Sequence, residues 1–294
     1  MSYIREAIHA KEWYPADESL TNMLKASFYY AKPEEPQKGN LIGILSPHSC
    51  YSVCLRTAAH SYARINPDSY DRVVLLGTSH HIPLSNCLVS NASEVETPLG
   101  NLNTDQEVCR SLVDQYAEYF RFLSKEEDEA EHSHEMQYPL IKYVFGDRDI
   151  KIVPILVGSF SDNVEENLVN ILSPIITEPR TLFIISSDFF HWGELFHFTN
   201  YASSKKPLEQ QLQLHDEKAL NIISAFNFEH FRFHIEEISG AICGCYSILL
   251  ILRILSPECQ FVRISRSELS PIKSAKDFSI SYIAAGFYSC NQAE

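Results

Sequence analysis

Long apolar runs, linkers and basic residues are all scarce in this chain of 294 residues. No Pro/Gly/Ser-rich stretch divides it, so a single domain over residues 1–294 is expected, although a prior of about 150 residues per domain would permit two. No uninterrupted apolar span reaches about 18 residues, which excludes a membrane-crossing helix. The first residues, Met1-Ser-Tyr-Ile-Arg-Glu-Ala7, hold no apolar signal-peptide core, so a cytoplasmic location is expected, with the nucleus as a second compartment. Lys and Arg number 24 against 38 Asp and Glu, a net charge of -14. Nucleic acid or an anionic membrane would demand a basic face, and so neither is an expected partner. No Cys-x-x-Cys pair occurs, which excludes a zinc ribbon. Eight cysteines are present (Cys50, Cys54, Cys87, Cys109, Cys243, Cys245, Cys259, Cys290). In a cytoplasmic chain of this size they read as free thiols, one or two of them recruited for chemistry.

What the chain does have is a hydrophobic content of 45% with 21% charged residues, the balance of a globular protein with a large core. Three apolar runs share one plan. Leu41-Ile-Gly-Ile-Leu45 leads into Ser46-Pro47-His48. Arg72-Val-Val-Leu-Leu-Gly77 leads into Thr78-Ser79-His80-His81. Leu182-Phe-Ile-Ile185 leads into Ser186-Ser187-Asp188-Phe-Phe-His191-Trp192-Gly193. Short runs of Val, Ile and Leu separated by helical patterns read as strands of a central, largely parallel or mixed sheet, buried on both faces by helices. Ligands gather beyond the carboxyl ends of such strands. One histidine after a strand is an ordinary loop residue, but three strands with the same polar ending have no packing rationale. They bring His48, His80, Asp188 and His191 to one rim, an active or metal site.

Between these runs the apolar spacing predicts helices over 17–30, 51–65, 106–120, 138–145, 162–176, 212–226 and 246–254. Further strands are expected at 87–90, 151–157, 261–267 and 278–288. His48 should lie near the N-terminus of the second helix, where anions are favoured. Asp105 is placed as the N-cap of the third. Lys125-Glu-Glu-Asp-Glu-Ala-Glu131 reads as a solvated loop, and His132 with Glu135, three apart, would share a helix face. Residues 196–206 read as an aromatic and polar loop, a lid over the site, and His215 as a surface residue. Cys243, between Ile242 and Gly244 at a helix start, is either a ligand or nucleophile favoured by the dipole, or a small buried hydrophobe.

Nine segments in order carry a resemblance. They are Arg5-Glu-Ala-Ile-His9 with Trp13-Tyr14, Ser46-Pro-His48, Gly77-Thr-Ser-His80-His81, Thr97-Pro-Leu99 and Glu131-His-Ser133. Pro154-Ile-Leu-Val-Gly158, Ser186-Ser-Asp-Phe189 with His191-Trp-Gly193, Ile242-Cys-Gly244, and Ser281-Tyr with Ala284-Ala-Gly286 follow. The chain resembles the Memo family, named for mediating receptor-driven cell motility, whose fold is similar to that of class III extradiol dioxygenases. The resemblance implies a copper or iron site, with zinc as a further candidate, on His48, His80 and Cys243. It places Asp188, His191 and His132 around the same pocket as catalytic or proton-transfer groups. Where the family reads Ala-Pro-His-Ala-Gly-Tyr, this chain has Ser46-Pro-His-Ser-Cys50-Tyr. Where it reads Cys-Gly-Arg-His-Pro-Ile, this chain has Cys243-Gly-Cys245-Tyr-Ser-Ile248, which would enrich the site in sulfur.

Three functions stay open at this level. One is a redox-metal or metal-sequestering protein, since two imidazoles and a thiolate suit copper, iron or zinc and not magnesium or calcium. Another is an adaptor linked by the family to motility and signalling, whose cleft binds a phosphotyrosine peptide or receptor-associated protein with help from a basic group such as Arg56. The third is a zinc hydrolase with Asp188 or Glu135 as base.

Overall fold

Strands β1 (Tyr3–Arg5), β2 (Asn40–Ser46), β3 (Arg72–Thr78), β4 (Cys87–Val89), β5 (Ala92–Val95) and β6 (Leu102–Thr104) occupy the first third of the chain. Strands β7 (Phe120–Phe122), β8 (Lys151–Val157), β9 (Thr181–Ser186), β10 (His191–Trp192), β11 (Gln260–Glu268) and β12 (Ser279–Ser289) complete one twelve-stranded mixed sheet. The computed structural model describes residues 2–33, 39–196, 207–238, 241–255, 259–270, 272 and 276–289. Along its spine the sheet runs β1-β5-β6-β8-β3-β9-β2-β12-β10, with β11 beside β12, and β4 joined to β7 and β8. The four central strands β8, β3, β9 and β2 are mutually parallel.

Their side chains alternate between two cores because successive residues of a strand point to opposite faces. Val74, Leu76, Leu45, Phe183 and Ile185 pack on one side. That side is covered by α3 (Gln106–Gln115), α7 (Asp162–Ile176), α8 (Leu208–Ser224), α9 (Phe228–Glu237) and α10 (Cys245–Ile254). Val73, Leu75, Ile44, Leu182 and Ile184 face α1 (Glu18–Ala31), α2 (Tyr51–Tyr62) and α6 (Tyr138–Phe145) on the other. Burial on both sides explains why these strands read as unbroken apolar runs. The register aligns Ser46 with Ser186 and Leu76 with Ile185, so the three polar endings emerge at one edge. Among the described residues no helix is long and apolar enough to cross a membrane.

One buried cation ties the amino terminus to that edge. Arg5 is fully buried and pairs with Asp128 at 3.2 Å and Glu135 at 2.7 Å. It also donates to the Glu131 carbonyl at 3.0 Å and lies over the Tyr138 ring. The pairing fixes α4 (Lys125–Ala130) and the single turn α5 (His132–Glu135) at the mouth of β3. Gly77 permits the fit, because a Cβ there would lie 2.5 Å from His134 Cδ2 and 2.8 Å from Ser133 Oγ.

Several expectations need correction. The acidic run at 125–131 is a capped helix, Ser124 and Glu127 forming a reciprocal capping box, with Asp128 and Glu131 buried. Charge alone suggested solvent; the Arg5 guanidinium turns the Asp128 carboxylate inward, and His80 does the same for that of Glu131. The helix expected to reach residue 120 ends at Gln115, because Phe120 pairs with Cys87 as β7. His215 is half-buried against Phe190, its ring centroid 5.0 Å away. α7 covers the expected 162–176 with Pro174 inside it, whereas α9 and β1 were not among the expected elements. Asp105 caps α3 as expected, accepting from the Val108 N–H. Residues 197–206 of the expected lid lie outside the described residues.

Removing the Arg5 charge should leave two buried carboxylates uncompensated. We expect Arg5→Met to lose roughly 3–5 kcal/mol of unfolding free energy in urea titration; a loss under about 1 kcal/mol would show that the pairs are dispensable. His134 is fully buried, and burial pushes its pKa down to about 4. The folded value lies below the unfolded one, so this stability is complete above about pH 6.5 and drains away as pH falls to about 4. A His134→Asn variant should escape that part of the acid destabilisation, worth up to roughly 3 kcal/mol, when unfolding is compared at pH 7 and pH 4. Equal acid slopes for the two proteins would refute the assignment.

Candidate metal centre

Three hydrogen bonds decide what the site histidines offer. The Ser186 hydroxyl, at the end of β9, donates its one proton to the Ser133 carbonyl at 2.6 Å. It can therefore only accept from His48 Nδ1, 2.9 Å away, and from Gln137 Nε2 at 3.0 Å. His48 is thereby held with Nδ1 protonated and the lone pair on Nε2. That Nε2 is buried and has no hydrogen-bond partner. Burial, with repulsion from His80, holds the His48 pKa well below the ordinary imidazole value, so the ring is neutral.

His80 is oriented the same way by a carboxylate. Glu131 accepts from His80 Nδ1 at 2.9 Å, from the His80 N–H at 2.7 Å and from the Ser133 N–H at 2.8 Å. Burial alone would raise the Glu131 pKa, but the hydrogen bonds it accepts from the His80 ring and the His80 backbone outweigh it and keep the carboxylate ionised. A histidine whose far nitrogen donates to a carboxylate is the usual preparation of a metal ligand. His191 completes the pattern, its Nδ1 lying 2.7 Å from the Phe189 carbonyl and 3.0 Å from that of Ala241. Both carbonyls only accept, so Nδ1 carries the proton and in the neutral tautomer the lone pair is on His191 Nε2, which faces Cys243 Sγ at 3.6 Å.

Cys243 is seated on the end of β9. Its N–H donates to the Asp188 carbonyl at 3.2 Å and the Gly244 N–H to Ser187 Oγ at 2.8 Å. A Cβ on Gly244 would lie 2.6 Å from Ser187 Cβ, so the Cys-Gly pair is needed for this approach. Burial, then the negative charge of Asp188, push the thiol pKa well up, and it stays protonated unless a cation intervenes. Donor atoms of His48, His80 and Cys243 all lie within 4.8 Å of one another.

A second group, His80, Glu131 and His132, meets the same criterion. His132 stacks on His80 with centroids 4.1 Å apart and on Trp13 at 4.5 Å. Burial, with His48 and His80 nearby, lowers its pKa to about 3. Asp188 is almost fully buried, and its oxygens accept from the His48 N–H at 2.8 Å and Ser49 Oγ at 2.5 Å. It fixes the backbone of a donor rather than presenting free oxygens.

All six residues singled out from the sequence therefore converge. Glu135 does not join them, since its carboxylate is taken by Arg5, His9 and Tyr14 and does not reach the rim that His132 lines. Cys50 precedes α2 and Cys245 is buried in the apolar core, and neither belongs to the donor groups. The residues sequence reasoning missed are Glu131 and Ser186. Glu131 was masked by its acidic run, and Ser186 carries no signal beyond its place before Asp188.

The family model described as Memo-like protein matches residues 5–286. The memo-1 homolog of Caenorhabditis elegans is 32% identical, covering 95% of this chain and 81% of that relative. MEMO1 of Xenopus laevis is 32% identical over 96% of this chain and 97% of its own. A MEMO1 family protein of Schizosaccharomyces pombe is 33% identical over 96% and 98%. With its matching segments spread from Arg5 to Gly286 and its rim built as described, the chain belongs to the Memo family.

Proposed function

We propose that the chain binds one redox-active transition metal ion, copper or iron, through His48 Nε2, His80 Nε2 and the Cys243 thiolate. The observation that carries this reading is the buried, unpartnered His48 Nε2 within a compact group of nitrogen and sulfur donors. Buried polar atoms are otherwise nearly always paired. Two imidazoles and a thiolate form a borderline-soft set that suits copper, iron or zinc. When bound, copper or iron would supply one-electron chemistry toward oxygen species, or would simply be sequestered.

The surrounding residues then have distinct tasks. Glu131 keeps the His80 lone pair turned inward, and Ser186 does so for His48. Asp188 anchors the His48 backbone. Ligation by sulfur needs the thiolate, and His191 Nε2 is the acceptor within reach of the Cys243 proton. His132 is neutral, lines the same pocket and passes protons at its mouth.

The zinc-hydrolase reading is weaker, because Asp188 and Glu135, the two carboxylates available as base, are both occupied by protein donors. For the phosphopeptide-adaptor reading the basic group named, Arg56, is exposed and lies over the Tyr30 ring, outside the donor groups of the metal centre. The link to motility and signalling rests on the family.

Protein purified without added metal should contain close to one copper or iron per chain by elemental analysis, and Cys243→Ser and His48→Ala should lose it. Oxygen-consumption assays with Cys243→Ser as control separate redox turnover from storage. Zinc in the site, or metal retained in both variants, would refute the proposal. Glu131→Gln should weaken metal affinity by about 10–100-fold, read by competition with a chelator, with the circular dichroism spectrum unchanged. Wild-type affinity in Glu131→Gln would remove Glu131 from its orienting role.

A further inference from the structure

The peptide group between Pro47 and His48 is held from both sides. Its N–H donates to Asp188 Oδ1 at 2.8 Å, and its carbonyl accepts from Gln137 Nε2 at 2.9 Å. The Ser46 hydroxyl lies 3.5 Å from the same carbonyl, too far to replace the amide. Gln137 sits at the start of α6 and is fully buried.

Its amide fits in only one orientation. The Pro47 carbonyl has no proton to give, so the nitrogen faces it and Oε1 faces the Tyr62 hydroxyl, 2.9 Å away. Tyr62, also fully buried on α2, is then the donor. The second amide hydrogen goes to Ser186 Oγ at 3.0 Å. That hydroxyl gives its own proton to the Ser133 carbonyl and accepts from His48 Nδ1, so its hydrogen-bonding capacity is used in full. A buried amide must meet its partners or cost stability. Here every partner except Tyr62 is either the peptide that enters His48 or the hydroxyl that holds the His48 ring.

One side chain thus controls this histidine at both ends, the main chain through Pro47 and the ring through Ser186. We propose that Gln137 is a positioning residue of the metal centre: it holds His48 with Nε2 among the other donors, and Tyr62 holds the Gln137 amide in turn. The purpose of this arrangement rests on the metal reading given above, whereas the hydrogen bonds that create it belong to the metal-free chain. Partners that hold a ligand in place govern affinity although they never touch the ion.

The test begins on metal-free chain with isotope-labelled nitrogen in its histidine rings. The readout is the His48 Nδ1–H signal, identified by its loss in His48→Ala. Gln137→Met removes both amide donors at nearly constant volume, and Gln137→Glu keeps the shape but sets an oxygen against the Pro47 carbonyl. In both variants the His48 signal should shift or broaden while the circular dichroism spectrum stays that of the wild type. Copper(I) affinity, read by competition with a chelator, should fall by about 10–100-fold in Gln137→Met and by a smaller factor in Tyr62→Phe. A role confined to packing predicts lower resistance to urea with both readouts unmoved. An unmoved His48 signal in the Gln137 variants, or wild-type copper affinity in Gln137→Met, would overturn the proposal. Tyr62→Phe leaves Gln137 in place, and its His48 signal decides the matter if neither Gln137 variant folds. A wild-type chain that binds no copper would strike the metal reading instead, and the signal from the metal-free chain would still decide the role of Gln137.

Discussion

The ion pairs of Arg5 with Asp128 and Glu135 hold the rim together. A guanidinium with no exposed surface is tolerable only if its charge and donors are answered, and the answers come from a segment about 125 residues later in the chain. The Glu131 carbonyl bound to Arg5 belongs to the same residue whose carboxylate orients His80. The contact that seats the amino terminus thus also positions a donor of the metal centre. It adds to the hydrogen bonds of Ser133 and Glu131 that press α5 onto the end of β3, where Gly77 makes room for it.

The second constraint is the protonation pattern of the histidines. His48, His80 and His191 sit on three different chain segments, yet each has Nδ1 turned to an acceptor that leaves no choice of tautomer. Three acceptors of different chemistry, a serine hydroxyl, a carboxylate and backbone carbonyls, give the same result. The lone pairs are therefore fixed before any ion arrives, which reduces the reorganisation that binding would cost. The protonated thiol is the one donor that must change state, and the ring placed to take its proton is beside it.

Much of this was legible in order along the chain. Apolar runs of Val, Ile and Leu marked the central strands, because burial on both faces leaves no polar alternation. The common ending of three such runs marked the rim, because parallel strands deliver their carboxyl ends to one edge. The Cys-Gly pair at 243–244 was visible, and the glycine proves necessary for the approach to Ser187. The acidic stretch at 125–131 was misread, since its local composition is that of a solvated surface while a remote arginine buries half of its meaning. Glu135 looked like a partner of His132 by spacing, but α5 is a single turn whose next face belongs to Arg5, His9 and Tyr14.

By itself the sequence determined the parallel core, the polar rim and the identities of His48, His80, Asp188, His191 and Cys243, because strand periodicity and terminal motifs are local properties. Only the tertiary structure decided which carboxylates are spent on protein donors and which imidazole nitrogens carry lone pairs. Those depend on hydrogen bonds between residues distant along the chain, whose geometry no local pattern encodes.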